Sequence, residues 1–189
     1  MISEVKVIDN CIPLELQNQI EKLVQSHNTK FVYSEYSTIP PYADKYQDGA
    51  QLVNNFINKG KFVTGDVSHF FLLPLQIVCL QEGFNFCLEQ VYRAKINLKF
   101  KQESKFDKFI NPPHIDLTLL NNFIGLYYIN DSDGDTIIYE GNDKNNLKIL
   151  KSIEPKKGRM VLMDGSRMHS ASHPLKTKTR MVINYNLLQ

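Results

Sequence analysis

The sequence lacks the features that mark several large classes of protein. It has no tryptophan and only three cysteines, Cys11, Cys79 and Cys87, none of them in a CxxC pair, so it predicts neither a disulfide framework nor a zinc knuckle. The longest apolar run, at residues 69–80, falls short of the roughly 20 residues that a bilayer-spanning helix needs. The first residues have neither the basic start nor the apolar stretch of a signal peptide. We therefore expect a cytoplasmic protein, in a reducing compartment, with no membrane contact.

No charge of one sign dominates either. Lys and Arg number 22 against 20 Asp and Glu, a formal net charge of +2, so nucleic acid is not an expected partner. One segment departs from this balance, since residues 93–108 hold six basic and two acidic side chains. A basic mouth of this kind would suit an anionic substrate or an acidic peptide. A solvated loop with ordinary lysines is the alternative interpretation.

The period of the hydrophobic pattern changes near residue 91. Before it, residues 14–26 carry apolar side chains at helical spacing, and a second buried helix is expected to begin near Pro74. Residues 34–68 are rich in Tyr, Ser, Asp, Gly and Pro, which predicts a loop with short elements, and its length favours a lid. Residues 91–100 alternate with period two, as in a strand with one polar face. Further strands are predicted at 115–119, 123–130, 136–139, 147–153, 159–163 and 179–187.

This order of elements predicts the fold class. Helices followed by many short strands favour an α+β chain whose strands form an antiparallel sandwich or jelly roll. It is not the alternation of a dinucleotide-binding sheet, and neither GxGxxG nor GxxxxGK[ST] occurs. We expect a single domain over 1–189. Residues 1–90 would supply helical support and the lid, and residues 91–189 the jelly-roll core.

Three side chains of the strand-rich half have the chemistry of a metal site. His114 and Asp116 are two residues apart, so on a strand both point to the same side. His169 follows a predicted strand and a turn. Two imidazoles and one carboxylate form the facial triad of non-haem Fe(II) oxygenases, which leaves coordination positions open. Each residue alone is more often an ordinary polar side chain, and the joint pattern is what favours a metal site.

An arginine begins the polar face of the last predicted strand. Arg180 shares that face with Asn184 and Asn186. A guanidinium inside a barrel is costly unless an anion meets it. A dicarboxylate would meet it through a bidentate contact, so this end of the strand predicts an anion site.

Six stretches of the sequence resemble a known family. They are Pro113–Asp116, Gly125–Asp131, Asp133–Ile138, Ile153–Leu162, Met168–Ser172 and Arg180–Asn184. Together they are similar to the Fe(II)- and 2-oxoglutarate-dependent dioxygenases, closest to the prolyl-4-hydroxylase-like group. The resemblance covers residues 90–189 well and residues 5–26 loosely. It implies N-terminal helices packed on a double-stranded β-helix, the cupin-like jelly roll.

The resemblance also implies roles for individual residues. The implied iron ligands are His114, Asp116 and His169. Arg180 would hold the distal carboxylate of 2-oxoglutarate, Tyr128 would hydrogen-bond the same carboxylate, and Asn97 is the nearest candidate for a further contact to the cosubstrate. His173 is the alternative third ligand; the family's spacing to Arg180 favours His169 and leaves His173 as a loop histidine. The loop at 131–135 replaces the double glycine often found there in the family.

The implied cofactors are Fe(II), 2-oxoglutarate as cosubstrate and O₂, with ascorbate as a stimulant. The implied reaction is hydroxylation of a C–H bond, with release of succinate and CO₂. Its substrate would be a protein side chain, prolyl or otherwise, or a small molecule, and the oligomeric state stays open. Two alternatives remain: a non-catalytic jelly-roll binding module, and a cupin-type enzyme that uses the metal without 2-oxoglutarate. Arg180 and Tyr128 argue against the second, because that chemistry needs no carboxylate clamp.

Overall fold

The structure, a computed structural model, describes residues 4–38, 46–103, 109–118, 121–143 and 146–188. The first half contains β1 (Lys6–Ile8), α1 (Leu14–Val24), β2 (Val32–Ser34), β3 (Gln51–Asn58), β4 (Lys61–Phe62), a 3₁₀ helix (Asp66–Leu72), α2 (Leu73–Gln81), a second 3₁₀ helix (Leu88–Gln90) and β5 (Val91–Phe100). The second half contains β6 (Phe109–Ile110), β7 (Asn122–Tyr128), β8 (Thr136–Glu140), β9 (Lys148–Ile153), β10 (Met160–Asp164), β11 (His169–His173) and β12 (Thr179–Leu188). In these ranges no helix is long and apolar enough to cross a membrane.

The strands form two antiparallel sheets. The larger sheet has the order β1-β10-β7-β12-β5-β3-β2, with β4 paired to β3, and the smaller sheet has the order β6-β11-β8-β9. The chain crosses between the sheets after β5, β6, β7, β9, β10 and β11. Repeated crossing between two antiparallel sheets is the topology of a jelly roll. The predicted antiparallel jelly-roll core is therefore confirmed.

The main hydrophobic core is a cluster of buried residues from both helices and from strands of the larger sheet. The same buried cluster contains Ile20 of α1, Leu75 of α2, Ala94 and Ile96 of β5, and Met181, Ile183, Tyr185 and Leu187 of β12. The alternation in β5 and β12 decides which side chains enter this core. The opposite faces of both strands line a cavity between the two sheets, so the period-two pattern separates core from cavity along each strand.

The segment at 34–68, predicted as a loop with short elements, contains a strand of eight residues in its central part. Residues 51–58 form β3, which pairs with β5 and lies between β5 and β2. The strand has a register shift between Asn55 and Ile57, and buried polar residues such as Gln51 and Asn54 interrupt its apolar pattern. A bulge and amide side chains together remove the alternation by which a strand is detected. Residues 39–45 of the predicted lid lie outside the described residues.

Two further differences concern the chain around the histidines. The strand predicted at 115–119 is absent over 115–118, where His114 instead forms an isolated bridge with His169; residue 119 is not among the described residues. The segment His169–His173 forms β11, although the sequence predicts no strand there. Its sequence, HSASH, consists of two histidines and three small residues. The buried strand therefore lacks the hydrophobic alternation by which a strand is predicted from sequence.

Replacing Ile96 by alanine should lower the free energy of unfolding by about 2–5 kcal/mol, because its side chain is fully buried in the main core. Ile149, which is 59% exposed on β9, offers the matched control, and Ile149→Ala should change stability by less than about 0.5 kcal/mol. Urea unfolding followed by circular dichroism measures both. Equal losses in the two variants would contradict the placement of the core.

Candidate metal centre and anion pocket

The three predicted ligand residues meet at one end of the cavity between the sheets. His114 Nε2 lies 3.8 Å from Asp116 Oδ1, and His169 Nε2 lies 3.7 Å from Asp116 Oδ2. One ligand atom from each residue lies within 4.8 Å of the others. These separations are too long for hydrogen bonds, so the atoms converge on a shared point without satisfying one another. Such a donor set fits a divalent transition metal.

Backbone contacts hold the two histidines in the orientation that a ligand needs. His114 and His169 exchange two backbone hydrogen bonds, of 2.9 and 3.0 Å. The Nδ1 atom of each ring lies near the carbonyl oxygen two residues earlier, at 3.1 Å from Pro112 and at 3.0 Å from Arg167. An Nδ1–H donated to a carbonyl leaves Nε2 unprotonated and free to bind a metal. Both rings therefore present the same kind of donor to the centre.

The Asp116 carboxylate is buried and held by three donors from the larger sheet. Asn184 and Asn186 of β12 donate to its Oδ2 at 2.7 and 3.0 Å, and Arg93 of β5 donates to its Oδ1 at 3.1 Å. Burial alone would raise the pKa of this carboxyl, but the neighbouring histidines, Lys95 and Arg93 lower it strongly. The side chain is therefore an ionised carboxylate at neutral pH.

Burial also sets the protonation of His114. It lowers the pKa of this imidazole to about 4, with a further contribution from His169. At neutral pH the ring is therefore neutral, which is the form that binds metals.

The other end of the cavity contains a buried arginine. Arg180 is 3% exposed; its Nε donates to the Gly134 carbonyl at 2.6 Å and its Nη2 to Thr136 Oγ1 at 2.7 Å. Among the described residues, no carboxylate lies within ion-pair distance of the guanidinium. A buried cation without a counter-ion that also lines a cavity fits an anionic ligand.

The register of β5 and β12 places the two ends of the cavity along the same face of the larger sheet. On β12 and β5, Arg180 pairs with Lys99, Val182 with Asn97, and Asn184 with Lys95. From Arg180 to Asn184, which contacts Asp116, the strand advances about 13 Å. Asn97 lies midway, and its buried Oδ1 has no hydrogen-bond partner among the described atoms. Its amide therefore retains unused hydrogen-bonding capacity in the cavity wall.

Five of the six predicted site residues line this cavity: His114, Asp116, His169, Arg180 and Asn97. Tyr128 is fully buried but does not line it. Its hydroxyl donates instead to Thr136 Oγ1 at 2.7 Å, and Thr136 occupies the position beside the cavity. Thr136 was not predicted as a site residue. Its position directly after the 131–135 loop was the available sequence signal, and in the structure it accepts a hydrogen bond from Arg180.

Lys99 is a second cation at the Arg180 end that sequence reasoning did not include among the site residues. It is 3% exposed and lines the cavity, and its ammonium donates to Asn111 Oδ1. Asn111 in turn donates to Asp48 at 2.9 Å, and Asp48 accepts two backbone N–H groups from Ser37 and Thr38, each at 2.9 Å. The described ends of the predicted lid are therefore anchored to the cavity wall by this chain of hydrogen bonds.

His173 is not the loop histidine that the sequence predicts. It ends β11, is 1% exposed and packs edge-on against Phe109, with ring centroids 4.8 Å apart. Its Nδ1 lies 3.3 Å from the Phe100 carbonyl. Burial, followed by the charge of Lys99, lowers the pKa of His173 to about 4. Among the described residues, the cluster that could hold a metal contains His169 and not His173.

The loop at 131–135 positions the partners of Arg180. The carboxylate of Asp133 accepts backbone N–H groups from Leu175, Lys176 and Thr177 at 2.9–3.0 Å, and the Thr177 hydroxyl at 2.7 Å. A Cβ on Gly134 would lie 2.7 Å from the Ser172 carbonyl oxygen, so only glycine fits there. Asp133 and Gly134 therefore fix the loop in the conformation that presents the Gly134 carbonyl to Arg180.

Replacing Asp133 by asparagine should destabilise the protein at neutral pH, by an amount that shrinks as the pH falls. Burial raises the pKa of Asp133, but the hydrogen bonds from Thr177, Leu175 and Lys176 outweigh it and lower the pKa from 3.8 to about 2. A lowered carboxyl pKa stabilises the folded state fully above pH 3.8, and the effect is lost as the pH falls through the folded pKa. Urea unfolding across that range measures it. Glu140→Gln, at the exposed end of β8, is the control, and the same pH dependence in both variants would contradict the assignment.

Solved structures of known proteins share this fold, although the sequence comparisons find no match. No family model matches the chain, and no curated protein matches its sequence. An oxidoreductase of the 2OG-Fe(II) oxygenase family from Burkholderia pseudomallei aligns with a TM-score of 0.66 at 12% identity, covering 97% of this chain and 84% of that chain. HygX from Streptomyces hygroscopicus, solved with nickel and 2-oxoglutarate bound, aligns with a TM-score of 0.61 at 11% identity, covering 96% and 81%.

A third solved structure contains a peptide. A prolyl hydroxylase from Trichoplax adhaerens, solved in complex with a peptide fragment of the hypoxia inducible factor oxygen degradation domain, aligns with a TM-score of 0.58 at 13% identity, covering 97% of this chain and 83% of that chain. At such identities a structural likeness establishes the fold. The chain has the jelly-roll fold of the 2OG-Fe(II) oxygenases, as its sequence resemblance predicts.

Proposed function

We propose that the protein is an Fe(II)- and 2-oxoglutarate-dependent dioxygenase that hydroxylates a C–H bond. One observation carries the proposal: a His–Asp–His donor set and a buried arginine that has no counter-ion among the described residues line opposite ends of one cavity. A metal site alone would suit many reactions, and a buried arginine alone many anions. Both in one cavity suit a ligand that binds a metal and a cation together, as a dicarboxylate does.

The metal would be held by Nε2 of His114, a carboxylate oxygen of Asp116 and Nε2 of His169. The fit rests on their protonation and orientation, because at neutral pH Asp116 is ionised and His114 is neutral. Bound Fe(II) would supply the redox chemistry by which O₂ converts 2-oxoglutarate to succinate and CO₂ and adds one oxygen atom to the substrate carbon. The protein supplies binding, orientation and a defined donor set.

Arg180 and Thr136 would bind the distal carboxylate of 2-oxoglutarate. The Thr136 hydroxyl oxygen already accepts hydrogen bonds from Arg180 and Tyr128. Its own proton is therefore left to donate to an oxygen in the cavity. Tyr128 thus acts by orienting Thr136. Between the two ends, Leu126 and Val182 line the cavity and would keep water from the middle of the ligand.

The substrate would be a protein side chain, prolyl or otherwise, or a small molecule. The neighbour solved with a peptide fragment supports the first class, and so does an open groove that shares the lining residues Ser37, Gln51 and Lys95 with this cavity. O₂ as oxidant and ascorbate as a stimulant complete the proposal.

His169→Ala should abolish Fe(II) binding and 2-oxoglutarate turnover, whereas His173→Ala should retain the iron and change activity only modestly. The reason is that His169 Nε2 faces Asp116, while His173 ends the same strand outside the donor cluster. Anaerobic titration with Fe(II) and 2-oxoglutarate, followed by the weak visible charge-transfer band of the chelate and by iron per chain, measures binding. Succinate release measures turnover. An iron-free His173→Ala protein would reverse the assignment, and a wild-type protein that forms no band would contradict the proposed function.

Arg180→Met should weaken 2-oxoglutarate binding at least tenfold with little change in Fe(II) affinity, since losing a buried charged contact costs about 2–5 kcal/mol. Methionine keeps much of the packing of the arginine stem. The control is Arg159→Met, which breaks a surface ion pair with Asp9 and should leave both affinities unchanged. Calorimetric titration of metal and of cosubstrate measures the two separately. A parallel loss of both in Arg180→Met would make Arg180 a structural residue.

A further inference from the structure

Lys95 occupies the junction between the cavity and a second, open groove. The groove runs over β2 and β3 and includes Tyr33, Gln51 and Asn55; Lys95 and Gln51 line both spaces. On β5, Lys95 pairs with Asn184, which donates to Asp116. The ammonium group of Lys95 is therefore positioned beside the metal end of the cavity and is reached from the groove.

Lys95 makes no hydrogen bond or ion pair with any described residue. The charge of Asp116 acts on Lys95, but its two oxygens already accept hydrogen bonds from Arg93, Asn184 and Asn186. Burial lowers the pKa of Lys95, although the charge of Asp116 opposes this. A half-buried ammonium that makes no hydrogen bond or ion pair with the described residues is costly, and a ligand carboxylate would lower that cost.

The groove has the charge and chemistry to receive such a ligand. Among the described residues that line it, Arg93 and Lys95 are charged and none is acidic. Its amide and hydroxyl side chains can hydrogen-bond a peptide main chain, which is rich in both donors and acceptors. At its outer edge, Val32 and Tyr33 are 72% and 65% exposed and offer apolar contact to side chains. The described part of the groove thus suits an extended, anionic chain.

We propose that Lys95 binds a carboxylate of the substrate, and that this substrate is a peptide segment with an acidic residue near the residue that is oxidised. The inference rests on the proposed function for its chemistry, since it names the substrate class of the same site. It is based on an ammonium group that makes no hydrogen bond or ion pair with the described residues, on the absence of acidic groups in the described groove wall, and on the lining residues Ser37, Gln51 and Lys95 that groove and cavity share.

Two pools of capped hexapeptides test it, with a central Glu in one pool and a central Gln in the other, and with the remaining positions randomised without acidic residues. Equilibrium dialysis against protein loaded with Ni(II) and 2-oxoglutarate should retain the Glu pool about tenfold better than the Gln pool. With Fe(II), the Glu pool should stimulate succinate release more than the Gln pool.

Lys95→Met should bring the ratio of Glu to Gln retention to about one, and Lys95→Arg, which keeps the charge, should restore the preference. Lys101→Met makes the same change at an exposed lysine outside both spaces and should preserve the preference. Circular dichroism and calorimetric titration of 2-oxoglutarate control for folding and for the cosubstrate site.

Equal retention of the two pools by the wild-type protein would overturn the proposal. So would a parallel loss of 2-oxoglutarate binding in Lys95→Met, because Lys95 would then serve the cosubstrate. Stimulation by N-acetylglutamate equal to that by the Glu pool would overturn the peptide assignment. If the protein forms no iron chelate but, unloaded, still retains the Glu pool through Lys95, the proposed function fails and the acidic-peptide site stands.

Discussion

The Asp116 carboxylate is the contact on which the geometry of the site depends. It lies on an irregular segment outside the ladders, and three donors from two neighbouring strands fix it there: Arg93 of β5, and Asn184 and Asn186 of β12. The removal of a carboxylate from water is costly, and several charge-assisted hydrogen bonds offset that cost. The backbone bridge between His114 and His169 then fixes the two imidazoles relative to it. The donor set is thus organised by the sheets before any metal binds.

Strand β12 determines the spacing between the two ends of the cavity. Its amides hold Asp116 at one end, and Arg180, four residues from Asn184, faces the other. Because both groups project from one paired strand, their separation is set by strand geometry rather than by a flexible loop. The opposite face of the strand, with Ile183 and Tyr185, belongs to the main core. The same alternation therefore anchors the strand and aims its polar side chains.

Much of this arrangement is predictable from the sequence because it follows simple periodicities. The alternation of polar and apolar residues predicted which side chains of β5 and β12 face the cavity. The two-residue spacing of His114 and Asp116 predicted that they form a donor pair, even though this segment forms a single bridge rather than a strand. The elements that escaped prediction lack such a pattern. Strand β3 is interrupted by a bulge and by amides, and β11 consists of small polar residues and histidines. Which residue stands between Tyr128 and the cavity depends on packing across sheets, which no spacing along the chain encodes.

The remaining feature of the site is an excess of positive charge. Lys95, Lys99 and Arg180 line the described cavity wall, against the single carboxylate of Asp116. Lys99 and Arg180 are paired residues on adjacent strands, and burial together with the charge of Arg180 lowers the pKa of Lys99 to about 7. An arginine stays protonated at any ordinary pH, whereas a lysine in this position changes its charge near neutrality. The Arg180 end can therefore present one or two positive charges, with Arg180 supplying the fixed one.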